Sequence, residues 1–155
     1  MSIWDRMVGA LRGHAVTYED IISDRAASAQ AFVISVISTT LVAGIDDPSV
    51  GNLLLGAFAG AIGLVAWTGV LWVVARGLGM TGRYTPLMRA IGFTALPFVL
   101  TPIPVVGAIA AVFSIALQVV AVRTVFKTTT ARAAATVVTP WLLLVAAVVV
   151  AQFNR

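Results

Sequence analysis

Cysteine is absent from the chain, and histidine occurs once, at His14. The first absence excludes disulfides and thiolate metal sites and leaves the redox compartment open. Charge is scarce as well. Only 10% of the 155 residues are charged, against about 25% in a soluble domain. All six carboxylates (Asp5, Glu19, Asp20, Asp24, Asp46, Asp47) fall in the first third of the chain. The long apolar stretches hold no ionisable group except at their ends, which argues against proton-coupled transporters and voltage sensors, whose work needs charge at depth. An intramembrane serine hydrolase would lack its base, and a metal site would have only the Asp46–Asp47 pair. The expectation is a protein without catalytic, cofactor-binding or metal-ligating residues.

What is present is hydrocarbon. Hydrophobic residues make up 60% of the chain, and mean hydropathy is +1.02. Such a surface suits lipid, so the fold class is an all-α integral membrane protein. A pI of about 10.7 does not require nucleic acid, because membrane topology explains the basic residues. Arginine outnumbers lysine nine to one and alanine is abundant, which points to a bacterial source and a bacterial cytoplasmic membrane.

Charge-free runs place spans at 26–45, 51–75 and 133–151, the last containing Pro140. The 33 uncharged residues between Arg89 and Arg123 are too many for one span of about 20 residues and slightly few for two. Counting basic residues separates the alternatives. With one span there, Arg123, Lys127 and Arg132 face outside. With two spans, about 85–100 and 104–122, nine basic residues lie inside (Arg6, Arg12, Arg25, Arg76, Arg83, Arg89, Arg123, Lys127, Arg132) and only Arg155 outside. The positive-inside rule prefers the second arrangement: five spans, a cytoplasmic N-terminus and an outer C-terminus. The stretch 96–109, LPFVLTPIPVVGAI, then reads as an outer turn at 101–104, with Pro104 in the first turn of the next helix. Its prolines, Pro97, Pro102 and Pro104, admit another reading, a buried broken helix beside a solute path.

Residues 1–25 form a cytoplasmic segment before the membrane domain 26–155, without the apolar core of a signal peptide. Ile3, Trp4, Met7, Val8 and Leu11 share one helical face, with Asp5, Arg6 and Arg12 opposite, the pattern of an amphipathic helix on the inner membrane surface. Thr17 with Asp20 marks a second short helix, and Ser23 or Asp24 a cap for the first span. Gly56, Gly60 and Gly63 lie on one face of the second span, as do Gly107, Ala111 and Ser114 on the fourth. Small residues of this kind let helices approach closely, within the chain or between copies. Gln30, Ser35, Asn52, Thr68, Thr94 and Gln118 are polar residues that hydrogen-bond between helices or line an aqueous path. Arg76, Arg83, Arg89, Arg123, Lys127 and Arg132 form an inner basic rim able to attract anionic headgroups. Trp67, Trp72 and Tyr84 suit anchoring at the interface.

Three stretches, YEDIISDRAASAQAF (18–32), GRYTPLMRAIGFTALP (82–97) and ALQVVAVRTVFKTTTARAAATVVTPWLLL (116–144), together resemble the Yip (Ypt-interacting protein) family, in its prokaryotic branch of five-span membrane proteins. The resemblance implies a cytosolic N-terminus and an outer C-terminus, as the charge count does. Eukaryotic members are associated with Rab GTPases and membrane traffic and carry an Asp-Leu-Tyr-Gly-Pro element. This chain lacks that element, so Rab binding is not carried over. The expected function is a non-enzymatic scaffold or adaptor. Its partners are the bilayer, anionic lipid headgroups, and a membrane protein or a second copy. The alternative is a small channel or transporter using the 97–104 stretch.

Overall fold

A computed structural model describes residues 1–45 and 47–153. The expectations placed on Asp46 and Arg155 lie outside the described residues. Among those described, all regular structure is helical: α1 (Ile3–Leu11), α2 (Ala15–Ser23), α3 (Ala27–Gly44), α4 (Val50–Gly77), α5 (Tyr84–Phe93), a 3-10 helix (Leu96–Leu100), α6 (Val106–Phe126) and α7 (Thr130–Phe153). Four of them, α3, α4, α6 and α7, are long and apolar enough to cross a membrane, while Tyr84–Leu100 is a shorter apolar segment. Their outer faces are apolar and exposed, with Ile37, Leu54, Phe58, Ile62, Val112 and Leu142 each at least half accessible. A continuous exterior of this kind is stable in lipid, not in water.

Local chemistry sets the ends. Ser2 caps α1 in a capping box with Asp5, and Ser49 caps α4 by accepting from the Asn52 N–H. Helices α1 and α4 both stop in Schellman turns on glycines with positive φ, Gly13 at 68° and Gly79 at 74°. In each, the next two N–H groups return to carbonyls of the last turn: Gly13 to Ala10 and His14 to Gly9, Gly79 to Arg76 and Met80 to Ala75.

Several boundaries differ from the expectation. Helix α2 begins at Ala15, with His14 at its N-cap. Neither Ser23 nor Asp24 is the N-cap of α3, which is Ala26; Asp24 instead accepts from the Ala26 N–H in the turn before it. Helix α6 runs to Phe126, so Arg123 lies in its last turn. The single helix expected over 85–100 is two pieces. Pro97 has no N–H for the Phe93 carbonyl and its ring crowds that group, so α5 ends at Phe93. The Thr94 hydroxyl donates back to the Ile91 carbonyl at 2.7 Å, and the chain tightens into the 3-10 helix. Pro104 falls outside α6, because Val105 takes a φ of 66° and Val106 is the first helical residue. The Val106 N–H donates to the Pro104 carbonyl.

Segment 84–100 runs beside α3 in the same direction. Arg89 meets Ser28, Gly92 abuts Ala31, and Phe98 shares a cavity wall with Thr39. Loop 78–83 and turn 127–129 meet at one end of the bundle, where Arg132 donates to the Leu78 carbonyl at 3.1 Å and Gly82 lies against Phe126. The largest fully buried apolar side chains are Tyr18, Ile21, Leu71, Leu87, Phe93, Val122 and Val137. Two of these residues belong to α2, so this short helix packs into the same body as the long ones.

Candidate functional site

Three regions carry the polar and small residues singled out above: a glycine seam, a cavity beside it, and the basic end. The seam joins α3 to α4. A Cβ on Gly56 would come within 2.9 Å of the Thr39 carbonyl and the Thr40 Cα; one on Gly60 would come within 2.8 Å of the Ser35 carbonyl and 2.9 Å of the Val36 Cα. No real Cβ sits that close to backbone, so glycine at both positions sets the helix separation. The Ser35 hydroxyl donates across the seam to the Gly60 carbonyl at 2.9 Å. Gly63 does not join it. A Cβ there would meet nothing within 4 Å.

Gly63 instead lines a cavity of about 220 Å³ bounded by Ser35, Gly60, Trp67, Thr94 and Gln118 among others. The indole N–H of Trp67 donates to the Gln118 side-chain oxygen at 2.9 Å, linking α4 to α6. Trp67 also packs on Trp141 of α7, with ring centroids 5.1 Å apart. Trp67 therefore lies half-buried between helices, whereas Trp72 donates to the Gly82 carbonyl near the basic end. Tyr84 donates to the Val65 carbonyl at 2.8 Å.

On α6 the small residues separate. Gly107 faces the Thr101 carbonyl of the preceding turn and not a helix; Ala111 is half-buried; Ser114 is fully buried. The hydroxyls of Ser114 and Thr68 and the Trp141 indole N–H are buried without a hydrogen-bond partner among the described residues. Each such group costs about 1–3 kcal/mol. Of the remaining polar residues, Asn52 donates to Asp47 in the 47–52 turn, and Gln30 accepts from Arg6. Pro97 is buried, while Ile103 and Pro104 are exposed.

Arg6 is the residue that sequence reasoning missed. It was expected opposite the apolar face of α1, in water, yet only 2% of it is accessible. Its guanidinium donates to Asp20 at 2.7 Å, Gln30 at 2.8 Å and Asp24 at 2.6 Å. Burial alone would lower its pKa, but the hydrogen bonds with Asp20 and Asp24 outweigh that effect and raise it. The same contact with Arg6, followed by the Ala26 N–H, holds the Asp24 carboxyl below its ordinary range. Asp20 and Asp24, four apart and on one face of α2 and its extension, were the readable signal. The apolar face of α1 is split as a result. Met7 packs toward the core, Ile3 and Leu11 are half-buried, and Trp4 and Val8 are 71% and 45% exposed.

The basic residues gather at the end where loop 78–83 and turn 127–129 meet. Arg76, Arg83, Arg123, Lys127 and Arg132 are exposed, and none makes a salt bridge among the described residues. Arg76 stacks over Trp72 at 5.0 Å. Lys127 ends α6 in the left-handed conformation. Arg89 is part-buried and tied to Ser28 at 2.8 Å and to the Ile22 carbonyl at 2.9 Å, so it braces α5 against the α2–α3 connection. Among the described residues no three His, Asp or Glu side chains gather as metal ligands.

Four apolar spans around a small-residue seam, with charge confined to the ends, define a helical integral membrane protein. The Yip1 domain matches residues 9–151, nearly the whole length. The chain belongs to the Yip1 domain family, a generally non-enzymatic family of membrane proteins. No curated protein and no solved structure matches it.

Proposed function

We propose that the protein is a non-enzymatic scaffold or adaptor of the bacterial cytoplasmic membrane. In this reading the chain crosses five times, with segment 84–100 as the third and shortest crossing. The N-terminal hairpin, loop 78–83 and turn 127–129 face the cytoplasm, and the C-terminus lies outside. Segment 84–100 is about 29 Å long, taking 1.5 Å per residue for α5 and about 2 Å for the rest. It falls slightly short of a hydrocarbon core of about 30 Å, a mismatch that local thinning absorbs.

The observation that carries the reading is the set of exposed cations Arg76, Arg83, Arg123, Lys127 and Arg132 at one end, unbridged among the described residues. Such a rim attracts anionic headgroups at about 1 kcal/mol per residue and offers a docking face to an acidic partner. Helix α1 packs its Leu11 beside Pro97, Leu100, Val106 and Ile109 and turns Trp4 and Val8 outward, toward lipid in this reading. Gly56 and Gly60 are spent on the α3–α4 contact, so they stiffen the bundle and leave the loops to meet partners.

Site-specific photocrosslinking in cells tests this. A photoreactive residue at Arg83 or Lys127 should capture a discrete membrane protein, while one at Ile103, at the opposite end, should not. Capture of lipid alone at all three positions would overturn the adaptor reading. A channel or transporter is the second reading, favoured by the cavity beside the break at Thr94–Ala95. Solute leak from proteoliposomes above protein-free controls would establish it.

A further inference from the structure

The cavity between α3, α4, α5 and α6 has one feature that its packing does not use. Three hydroxyls in its wall are already committed. Ser35 donates to Gly60, Thr39 to the Ser35 and Val36 carbonyls, and Thr94 to Ile91. Gln118 is different. An indole N–H can only donate, so Trp67 fixes the Gln118 amide with its oxygen toward the ring. The two N–H groups on Nε2 are then left without a partner among the described residues, on a side chain that is 2% exposed. No charged side chain lines the cavity.

Charge narrows the occupant. Gln118 lies eight residues from Phe126 and twelve from Val106 in α6, about 12 Å and 18 Å from the helix ends. The turn at Gly13 lies against Leu117 and Val120, so Gln118 is level with the N-terminal hairpin, and the wall offers no countercharge to an ion among the described residues. Size narrows it further. A dry cavity of about 150 Å³ accepts benzene, so about 220 Å³ accommodates a substituted ring. Small residues keep the space clear: Ala59, Gly60, Gly63 and Ala95 all line it, and the exposed Ala59 and Gly63 leave it open to the outside of the bundle.

We propose that this cavity binds a neutral, membrane-dissolved carbonyl compound, a ring with an apolar tail of the kind found in lipophilic quinones. Its carbonyl oxygen accepts from Gln118 Nε2, and its ring fills the space left by Gly63. The proposal stands apart from the scaffold reading and survives its failure.

The test uses the full chain in nanodiscs, with Trp4 and Trp72 replaced by Phe so that Trp67 and Trp141 report. Decyl-benzoquinone is titrated as the probe and quenching of tryptophan fluorescence is read. The expected result is a saturable component on top of collisional quenching. Gln118→Leu weakens its apparent affinity about tenfold, the worth of one hydrogen bond of about 1.4 kcal/mol. Gly63→Leu removes the saturable component, and decylbenzene, which lacks the carbonyl, fails to compete. A Cβ at Gly63 meets no neighbouring atom, so Gly63→Leu keeps the test valid even where Gln118→Leu misfolds. Linear quenching in every variant would overturn the proposal. So would saturable binding unchanged by Gly63→Leu, or a change in self-association alone, which would assign the cavity to a helix of a second copy.

Discussion

Gly60→Ala tests the seam at its tightest point. The new methyl would sit 2.8 Å from the Ser35 carbonyl oxygen and 2.9 Å from the Val36 Cα. Both are backbone atoms and cannot rotate away, so α3 and α4 must separate. Overpacking of this kind costs about 1–3 kcal/mol. Moving the helices apart also stretches the 2.9 Å bond from the Ser35 hydroxyl to the Gly60 carbonyl, worth about 0.6 kcal/mol in a membrane. Against this, alanine stabilises a helix by about 0.8–1.0 kcal/mol over glycine. The net expectation is a loss of about 0.6–2.8 kcal/mol. Gly63→Ala is the matched control, three residues along the same helix, with nothing within 4 Å of the new methyl. It keeps only the helix gain and should be stabilised by up to about 1 kcal/mol. Unfolding in mixed micelles titrated with a denaturing detergent measures both. Shifts of the same sign and size in the two variants would refute the seam argument.

Arg6→Ala leaves Asp20 and Asp24 facing a void and should cost about 1–3 kcal/mol. This is less than breaking a fully buried pair, because the two carboxylates are 31% and 39% exposed. Hydrogen exchange should quicken in α1 and α2 while α4 stays protected; uniform exchange across the chain would count against a local clamp. The same clamp depends on pH. Asp24 is held below its ordinary value by Arg6 and the Ala26 N–H, so its contribution is full above about pH 4 and is lost as the pH falls through the lowered value. Protection of α1 should therefore be flat from neutral to mildly acid pH and fall below about pH 4. In a chain free of native cysteine, Ile103→Cys, 48% exposed, should react in intact cells with an impermeant maleimide. Labelling only after the membrane is opened would void the proposed topology.

How much was legible depended on how local each signal was. Helix α4 was readable because 51–75 carries no charge. The break after Phe93 was also written locally, since Pro97 frees the carbonyl four residues back. Yet the segment reads as one span when attention falls on the prolines at 102 and 104. Gly60 and Gly63 look equivalent on a helical wheel, and only the first touches α3. Arg6 looks like a solvent-facing cation until α1 and α2 fold back on each other.

Composition and charge distribution were enough to make this an apolar helical membrane protein with its cations near helix ends. Hydrocarbon solvation acts residue by residue and needs no knowledge of neighbours. Folding alone settled which glycine packs and which leaves space, which arginine is clamped and which are exposed, and that the Gln118 amide nitrogen has no partner among the described residues. Each of those outcomes depends on which helix stands opposite, a contact between residues 14 to 51 positions apart. No helical or strand period in the sequence carries that information.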